Sequence, residues 1–351
     1  YTSNSCVKAA DINGDGFLDL FVGGRVIPGR YPEIPQSFIL INDGKGNFSE
    51  MTVRLAPEIQ TIGMVTDAAW VDLNNNGRKE LVIVGEWMPV KVFSNSNGKL
   101  IDATHKFFKE KYIGWWNKIL VDDFNGDGIP DLVIGNFGLN SQVKANSEEP
   151  SSLYFKDFDD NGSVDPILSF YIQGKTYPYV TRDELLDQLS MMRTRFPDYK
   201  SYSDASLTDI FTEEELKDVS ILEANFLKTS YFENTTSGQF RVKTLPIEAQ
   251  FSPIYSILSL DYNKDGKKDL LLCGNINQAR LRFGKYDANY GVLLRGDGKG
   301  NFMSVPQSES GFKISGDVRS ILNIDDILLF GINQNDIKAY KNQATSTKKI
   351  Q

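Results

Sequence analysis

Five stretches of this chain share one arrangement of oxygen-bearing side chains. They read Asp11–Asp19 (DINGDGFLD), Asp72–Glu80 (DLNNNGRKE), Asp123–Asp131 (DFNGDGIPD), Asp157–Asp165 (DFDDNGSVD) and Asp261–Asp269 (DYNKDGKKD). Each follows D-x-[DN]-x-[DN]-G-x-x-[DE]. Calcium takes six to eight oxygen ligands at about 2.3–2.6 Å, and this spacing can supply them. Positions 1, 3, 5 and 9 offer side-chain oxygens: Asp11, Asn13, Asp15 and Asp19; Asp72, Asn74, Asn76 and Glu80; Asp123, Asn125, Asp127 and Asp131; Asp157, Asp159, Asn161 and Asp165; Asp261, Asn263, Asp265 and Asp269. Position 7 can add a backbone carbonyl, from Phe17, Arg78, Ile129, Ser163 or Lys267. The glycine at position 6 permits the sharp turn that wraps these groups around one ion. The second loop has only Asp72 and Glu80 charged, so four calcium sites and a weaker fifth are expected.

An EF-hand loop requires a bidentate Glu at position 12, where this chain has Val22, Ile83, Ile134, Leu168 and Leu272. The segments after the loops ("LFVGG", "LVIVGEW", "LVIGNFG", "LLLCGN") are short, β-rich and closed by glycine, so they read as buried strands. The segments before them ("SCVKAA", "VTDAAWV", "NKILVD", "IYSILSL") read as strands too. Each loop therefore joins two strands of a hairpin, and calcium there would stabilise rather than signal.

Composition narrows the functional classes. The chain has 351 residues, 40% of them hydrophobic, and a net charge of −8. No apolar run is long enough to span a bilayer as a helix. The abrupt start at Tyr1 suggests a piece of something longer. The single histidine, His105, leaves no ordinary His-based metal site or triad. Cys6 and Cys273 lie in strand-like runs and read as buried free thiols. Acidity argues against nucleic acid, but fourteen of the 46 carboxylates stand at ligand positions of the five loops, so most of it is a ligand inventory.

A second repeat follows the first. "ILINDGKGNFSEM" and "LLRGDGKGNFMSV" read strand, Gly-rich turn, strand, with "VFSNSNGKLIDAT" and "YFENTTSGQFRV" as variants. The unit is then four strands with the acidic loop between the first two. Units of this length, 61 and 51 residues between the first three loops, suggest the blades of an all-β propeller. Five to six blades are evident. The loops at 123 and 157 are only 34 residues apart. Either the fourth loop's strands complete the third blade or that blade is short, and both readings put the Asp157 loop beside the others. Residues 176–225 differ: "TRDELLDQLSMMRTRF" has helical periodicity, with Thr181 and Glu184 set for a capping box. They are read as a helical insertion within one propeller domain, 1–351.

The D-x-N-x-D-G-x-x-D-L-x-V-G-G pattern resembles the FG-GAP/VCBS repeat of integrin α-subunit propellers and many bacterial surface proteins. "VGGRVIPGRYPE", "GEWMPV", "GWWN", "GNFGLNS" and "TRDELLDQL" resemble secreted bacterial members often seen with an ASPIC/UnbV module, which this chain lacks. The resemblance implies a propeller of seven blades when complete and a secreted, periplasmic or outer-surface location.

Hairpin topology puts every linker from strand 2 to strand 3 on the face opposite the acidic turns, where binding loops on a rigid scaffold are expected. The candidates there are Arg25, Arg30, Tyr31, Trp87, Asn136, Asn140, Arg280, Arg282 and Tyr286, with Trp115 and Trp116 near the same face. Packing between linkers and ion pairing to carboxylates would also explain them. Three functions are compatible: a non-catalytic surface protein binding a glycan or protein, a polysaccharide lyase or hydrolase, and a structural part of a larger assembly. The compact acid/base group Arg182, Asp183 and Glu184 would serve the second, unless those acids only favour the first turn of a helix.

Overall fold

The computed structural model describes residues 2–279 and 284–341. Alternation of apolar and polar residues forms 24 strands among them. The first sheet is β1 (Ser3–Ala10), β2 (Asp19–Val26), β3 (Phe38–Asn42) and β4 (Phe48–Glu50), antiparallel in that order. The second is β5 (Met64–Val71), β6 (Glu80–Pro89), β7 (Lys91–Ser96) and β8 (Lys99–Asp102), with β9 (Ile113–Trp115) added on β6. The third begins with β10 (Lys118–Asp122) and β11 (Asp131–Gly135). The chain then leaves it to build a separate sheet from β12 (Ser151–Lys156), β13 (Asp165–Ile172), β14 (Lys175–Pro178) and β15 (Ser220–Ala224), ordered β14-β13-β12-β15. It returns as β16 (Ser230–Asn234) and β17 (Phe240–Thr244), which complete the third sheet. The fourth is β18 (Ile254–Leu260), β19 (Asp269–Gly274), β20 (Val292–Gly296) and β21 (Phe302–Val305). The fifth has β22 (Val318–Ile324), β23 (Ile327–Ile332) and β24 (Lys338–Lys341).

Five of these sheets are propeller blades. Their first strands pack in chain order, β1 on β5, β5 on β10, β10 on β18 and β18 on β22. A hydrophobic core fills each gap. Phe21 and Ile39 meet Val65, Leu81 and Ile83 between blades one and two. Val82 and Val84 meet Trp116, Leu132 and Ile134 between two and three. Val133 and Tyr231 meet Ile254 and Leu272 between three and four. Leu271 and Cys273 meet Val318 and Phe330 between four and five. Cys273 is fully buried while Cys6 is only half-buried, and both are free thiols.

Two expectations change here. The strands flanking the Asp157 loop neither complete the third blade nor shorten it; β16 and β17 complete it, and the sheet β12–β15 is an insertion. The inserted unit is also wider than 176–225, since the chain is away from the blade from Asn136 to Thr229. Within it the helix Arg182–Gln188 starts on the expected capping box of Thr181 and Glu184. Leu185, Leu186, Leu189, Met192 and Phe196 pack with Leu207, Ile210 and Phe211 against the inserted sheet at Ile167.

All five acidic loops share one hydrogen-bond scheme. The position-1 carboxylate accepts the N–H of the position-6 glycine at 2.6–2.9 Å. That glycine has φ between 80° and 89° in every loop, a left-handed conformation that a Cβ would strain. The position-9 carboxylate is buried, between 0% and 3% exposed. One of its oxygens accepts the position-2 N–H: Asp19 from Ile12, Glu80 from Leu73, Asp131 from Phe124, Asp165 from Phe158 and Asp269 from Tyr262, at 2.9–3.1 Å. In three blades the other oxygen accepts an N–H at the end of the third strand: Asn42 for Asp19, Asn234 for Asp131 and Gly296 for Asp269. The residue that closes the loop thus also clamps the blade.

Removing that clamp leaves two buried N–H groups unpaired, each costing about 1–3 kcal/mol. Asp269→Ala is expected to lower stability by about 2–4 kcal/mol in chelator, whereas Asp265→Ala, in the exposed part of the same loop, costs under about 1 kcal/mol there. Urea midpoints of the two variants in chelator check this, and equal losses would contradict it.

Candidate functional site

The exits of the second strands are shaped by glycine. A Cβ on Gly24 would lie 2.2 Å from the Gln36 carbonyl oxygen, on Gly85 2.2 Å from that of Met64, and on Gly274 1.7 Å from that of Pro253. Opposite these glycines the first strands bulge. Register shifts set aside Ser5, Thr66, Tyr255 and Arg319 in β1, β5, β18 and β22. A bulge re-aims a side chain, and here it does so at the same end of four blades. Tyr255 carries the Arg319 guanidinium over its ring, 3.7 Å from the centroid. A further shift, between Glu86 and Met88 in the β6–β9 pairing, falls at Trp87. Trp87 has φ 58°, rare for a bulky residue and a mark of a constrained site.

These devices surround a cavity of about 370 Å³ between the blade exits and the inserted sheet. Tyr31, Trp87, Trp115, Phe137, Tyr255 and Tyr286 line it from the propeller, and Leu153, Pro166, Leu168 and Tyr179 from the insertion. Four rings form a continuous edge-to-face series. Trp87 meets Trp115 at 4.9 Å between centroids, Trp115 meets Phe137 at 4.8 Å and Phe137 meets Tyr286 at 5.0 Å. The Trp87 indole N–H donates to the Tyr31 hydroxyl at 3.0 Å. Among the described residues Glu86 is the one carboxylate in the lining, and its Oε1 pairs with Arg25 at 2.5 Å.

Several expected ligand contacts have other roles. Trp116 is fully buried in the core between blades two and three, because its neighbour Trp115 takes the outward position in β9. Asn136 is also fully buried. Its Oδ1 accepts from the backbone N–H groups of Trp115 and Phe137, and its amide donates to the Phe226 carbonyl. It positions two rings of the cavity rather than meeting a ligand. Arg30 is exposed, holds Glu33 in a bidentate pair and does not line the cavity. Asn140 is exposed beside a second, polar hollow with Lys144, Lys285 and Asp287, its amide on the Phe251 carbonyl. Arg280 and Arg282 lie outside the described residues. Tyr31, Trp87, Trp115 and Tyr286 do come together. Glu86, Asn117, Phe137, Tyr179 and Tyr255 join them unforeseen; the glycines of "VGEW", "IGNF" and "CGN" were the available signal for a bulged partner strand.

The acid/base group of the insertion is occupied in holding its own turn. Arg182 donates to the carbonyls of Phe196 and Pro197, Asp183 accepts from the Tyr199 hydroxyl at 2.7 Å, and Glu184 closes the capping box.

The acidic loops divide between two faces. The first two are tied to neighbouring blades through equivalent bonds: Asn95 donates its amide to the Ile12 carbonyl, and Asn234 to that of Leu73. Lys268, beside the fourth blade's loop, pairs with Asp122 beside the third. The Asp157 loop is elsewhere. It belongs to the insertion, which leaves from the opposite end of β11, and its Gly162 carbonyl is 3.5 Å from Arg30 Nη1 in the β2–β3 linker. It therefore stands on the cavity face, not beside the other four, because the insertion reverses the direction from which its hairpin is approached.

Among the described residues, carboxylate oxygens of Asp157, Asp159 and Asp165 lie within 4.8 Å of one another. Asp159 Oδ1 is sealed from solvent without a hydrogen-bond partner. Such a donor set of hard oxygens with an orphaned carboxylate oxygen fits a calcium-sized cation. Burial also pushes the clamping carboxyls Glu80, Asp165 and Asp269 above their usual range, and Asp131 up to about 6.

Residues 11–83 and 72–134 match the model of an FG-GAP-like repeat. The chain carries FG-GAP-like repeats. The two matched stretches contain the first three acidic loops, so in this molecule an FG-GAP repeat is an acidic hairpin together with the blade it clamps. No curated protein matches the chain. Similar solved structures include BBS1N in complex with ARL6DN, at 9% identity over 98% of this chain and 94% of that chain, with a TM-score of 0.26. Trypanosoma rangeli sialidase in complex with the inhibitor DANA matches at 13% identity over 96% of this chain and 54% of that one, with a TM-score of 0.28. The chain thus spans about half the length of the sialidase. The propeller architecture rests on the sheet order and packing of the blades themselves.

Adding a methyl group at Gly85 would press on the Met64 carbonyl and disturb the Glu86–Trp87 bulge. Gly85→Ala is expected to cost about 2–4 kcal/mol and to shift the Trp87 indole resonance in an NMR spectrum. A variant with unchanged stability and spectrum would contradict the close approach.

Proposed function

We propose that this chain is a non-catalytic, calcium-stabilised propeller of the cell surface or secretome that binds a glycan or protein ligand on the face opposite its four blade loops. The observation that carries the reading is the ring-lined cavity at the mouth. Linkers of different blades converge there on a scaffold held by buried clamps, and the inserted sheet supplies the remaining wall. A cavity of this size with mostly apolar lining and few polar groups has the character of a ligand pocket. Hydrolysis of a glycosidic bond needs two carboxyl groups flanking it, and the lining supplies one, already paired with Arg25.

Calcium would be held by positions 1, 3, 5 and 9 of the acidic loops, with the position-7 carbonyl. Its charge would offset the cost of burying the position-9 carboxylate. Affinities near 10⁻⁴–10⁻³ M, usual for extracellular modules, suit a chain that works outside the cell. The Asp157 site would brace the cavity itself, since β12 and β13 on either side of that loop carry Leu153, Pro166 and Leu168.

Millimolar calcium is expected to raise the melting temperature by roughly 5–10 °C over chelator, from several sites each contributing about 1–2 kcal/mol. An unchanged melting temperature would refute the calcium reading. Asp159→Asn should remove one bound ion, by isothermal titration, and leave the four blade loops responsive. Arg30→Ala should leave ligand binding intact, while Trp115→Ala weakens it by tenfold or more; equal effects on binding would move the site out of the cavity.

A further inference from the structure

We infer that the mouth cavity receives a single uncharged pyranose ring of a glycan. The inference rests on the reading above that this cavity is the ligand site, and it names the chemistry the cavity selects.

Charge is the first constraint. Among the described residues Glu86 is the only carboxylate in the lining, and Arg25 balances it. An anionic ligand would meet the Glu86 carboxylate at close range. A cationic one would find that carboxylate already engaged, and the Tyr255 ring face already covered by the Arg319 guanidinium. The described lining therefore offers no net charge to either, and a desolvated charge without a partner is strongly disfavoured.

Shape and polarity are the second. The Trp87–Trp115–Phe137–Tyr286 series presents rings to an entering group, and Leu153 and Leu168 face them from the insertion. The ligand thus needs an apolar face. Among the described residues the Trp115 indole N–H in this lining is sealed from solvent without a hydrogen-bond partner, and neither Glu86 Oε2 nor the Asn117 side-chain amide has a protein partner. Filling the cavity with a purely apolar side chain would leave them buried and unpaired, which is disfavoured. A pyranose resolves both demands. Its C–H face lies on aromatic rings, and its hydroxyl edge donates to Glu86 and both donates to and accepts from Asn117. An aromatic or prolyl peptide side chain meets only the first demand. The cavity's size, about 370 Å³, suits one ring with its substituents rather than a long chain segment lying across it.

The test uses the whole chain in calcium, with neutral methyl pyranosides of glucose, galactose, mannose and N-acetylglucosamine as probes. Glucuronate, choline and a proline/tyrosine-containing peptide serve as comparators. Indole N–H resonances of Trp87 and Trp115 report occupancy. At least one neutral pyranoside is expected to saturate these shifts with a Kd near the millimolar range, and glucuronate and choline to bind at least tenfold more weakly. Glu86→Gln should lower the neutral sugar's affinity about tenfold. Because that change leaves Arg25 unbalanced, Tyr286→Leu provides a second variant that removes a stacking ring without touching the ion pair, and it should weaken binding similarly. Glucuronate or choline binding as tightly as the neutral sugars would overturn the inference. So would peptide binding at the indoles in the absence of sugar binding, although the cavity would then remain the ligand site. If no probe shifts either indole, the inference falls, and if glycan or protein ligands found by array bind without shifting them, the cavity reading falls with it.

Discussion

The molecule depends on a buried carboxylate that has no choice of position. In every acidic loop the ninth residue begins the second strand, inside its sheet, and its oxygens accept backbone N–H groups from the start of the loop and, in three blades, from the third strand as well. An ionised group with so little solvent is costly unless several donors or a cation compensate it. The loop supplies the donors, and its other oxygens gather where a cation would sit. One side chain thereby couples turn geometry to strand pairing. Glu80 keeps the bond to Leu73, but its longer side chain sends its second oxygen to Asn74 instead of to a third strand.

The opposite face follows from the same strands read toward their other ends. Once the clamp fixes β6 and β19, the first strand of the same blade crosses so close that only glycine fits at the exit, and at the end of β2 the returning linker at Gln36 sets the same limit. The first strand accommodates this by bulging, and of the bulged residues Tyr255 lines the cavity. Stability at one end and side-chain presentation at the other are thus consequences of one packing geometry. Trp87 is the extreme case, a large residue in a left-handed conformation, held between the β6–β9 pairing and the Tyr31 hydroxyl.

The insertion changes what the scaffold can do. A propeller mouth made from linkers alone would be an open rim. Here a sheet built from the same kind of acidic hairpin, carried between β11 and β16, closes one side and packs through Leu153, Ala224 and Leu227 on Met64 and Trp87. Its helices pack against this sheet through their own core rather than displaying acid/base groups. Buried Asn136, at the point of departure from β11, binds the backbone on both sides of the junction, so the inserted wall and the aromatic series share an anchor.

Local pattern was legible without coordinates. Five repeats of a nine-residue spacing determined the hairpins, the β-rich runs beside them determined the buried strands, and Thr181 with Glu184 determined where a helix starts, since each depends on residues within a few positions of one another. The chain order also indicated that linkers such as "GRYPE" and "GEW" leave on one face, and Tyr31, Trp87, Trp115 and Tyr286 do meet there. What tertiary structure alone decided was everything set by partners distant in sequence. The third blade waits 94 residues for its last two strands, the Asp157 loop lies on the far face from its four look-alikes, and Trp115 faces the cavity while Trp116 is buried. A carboxylate-rich loop has the same spacing wherever its hairpin is attached, and two adjacent tryptophans look alike until a neighbouring strand fixes which side of the sheet each one takes.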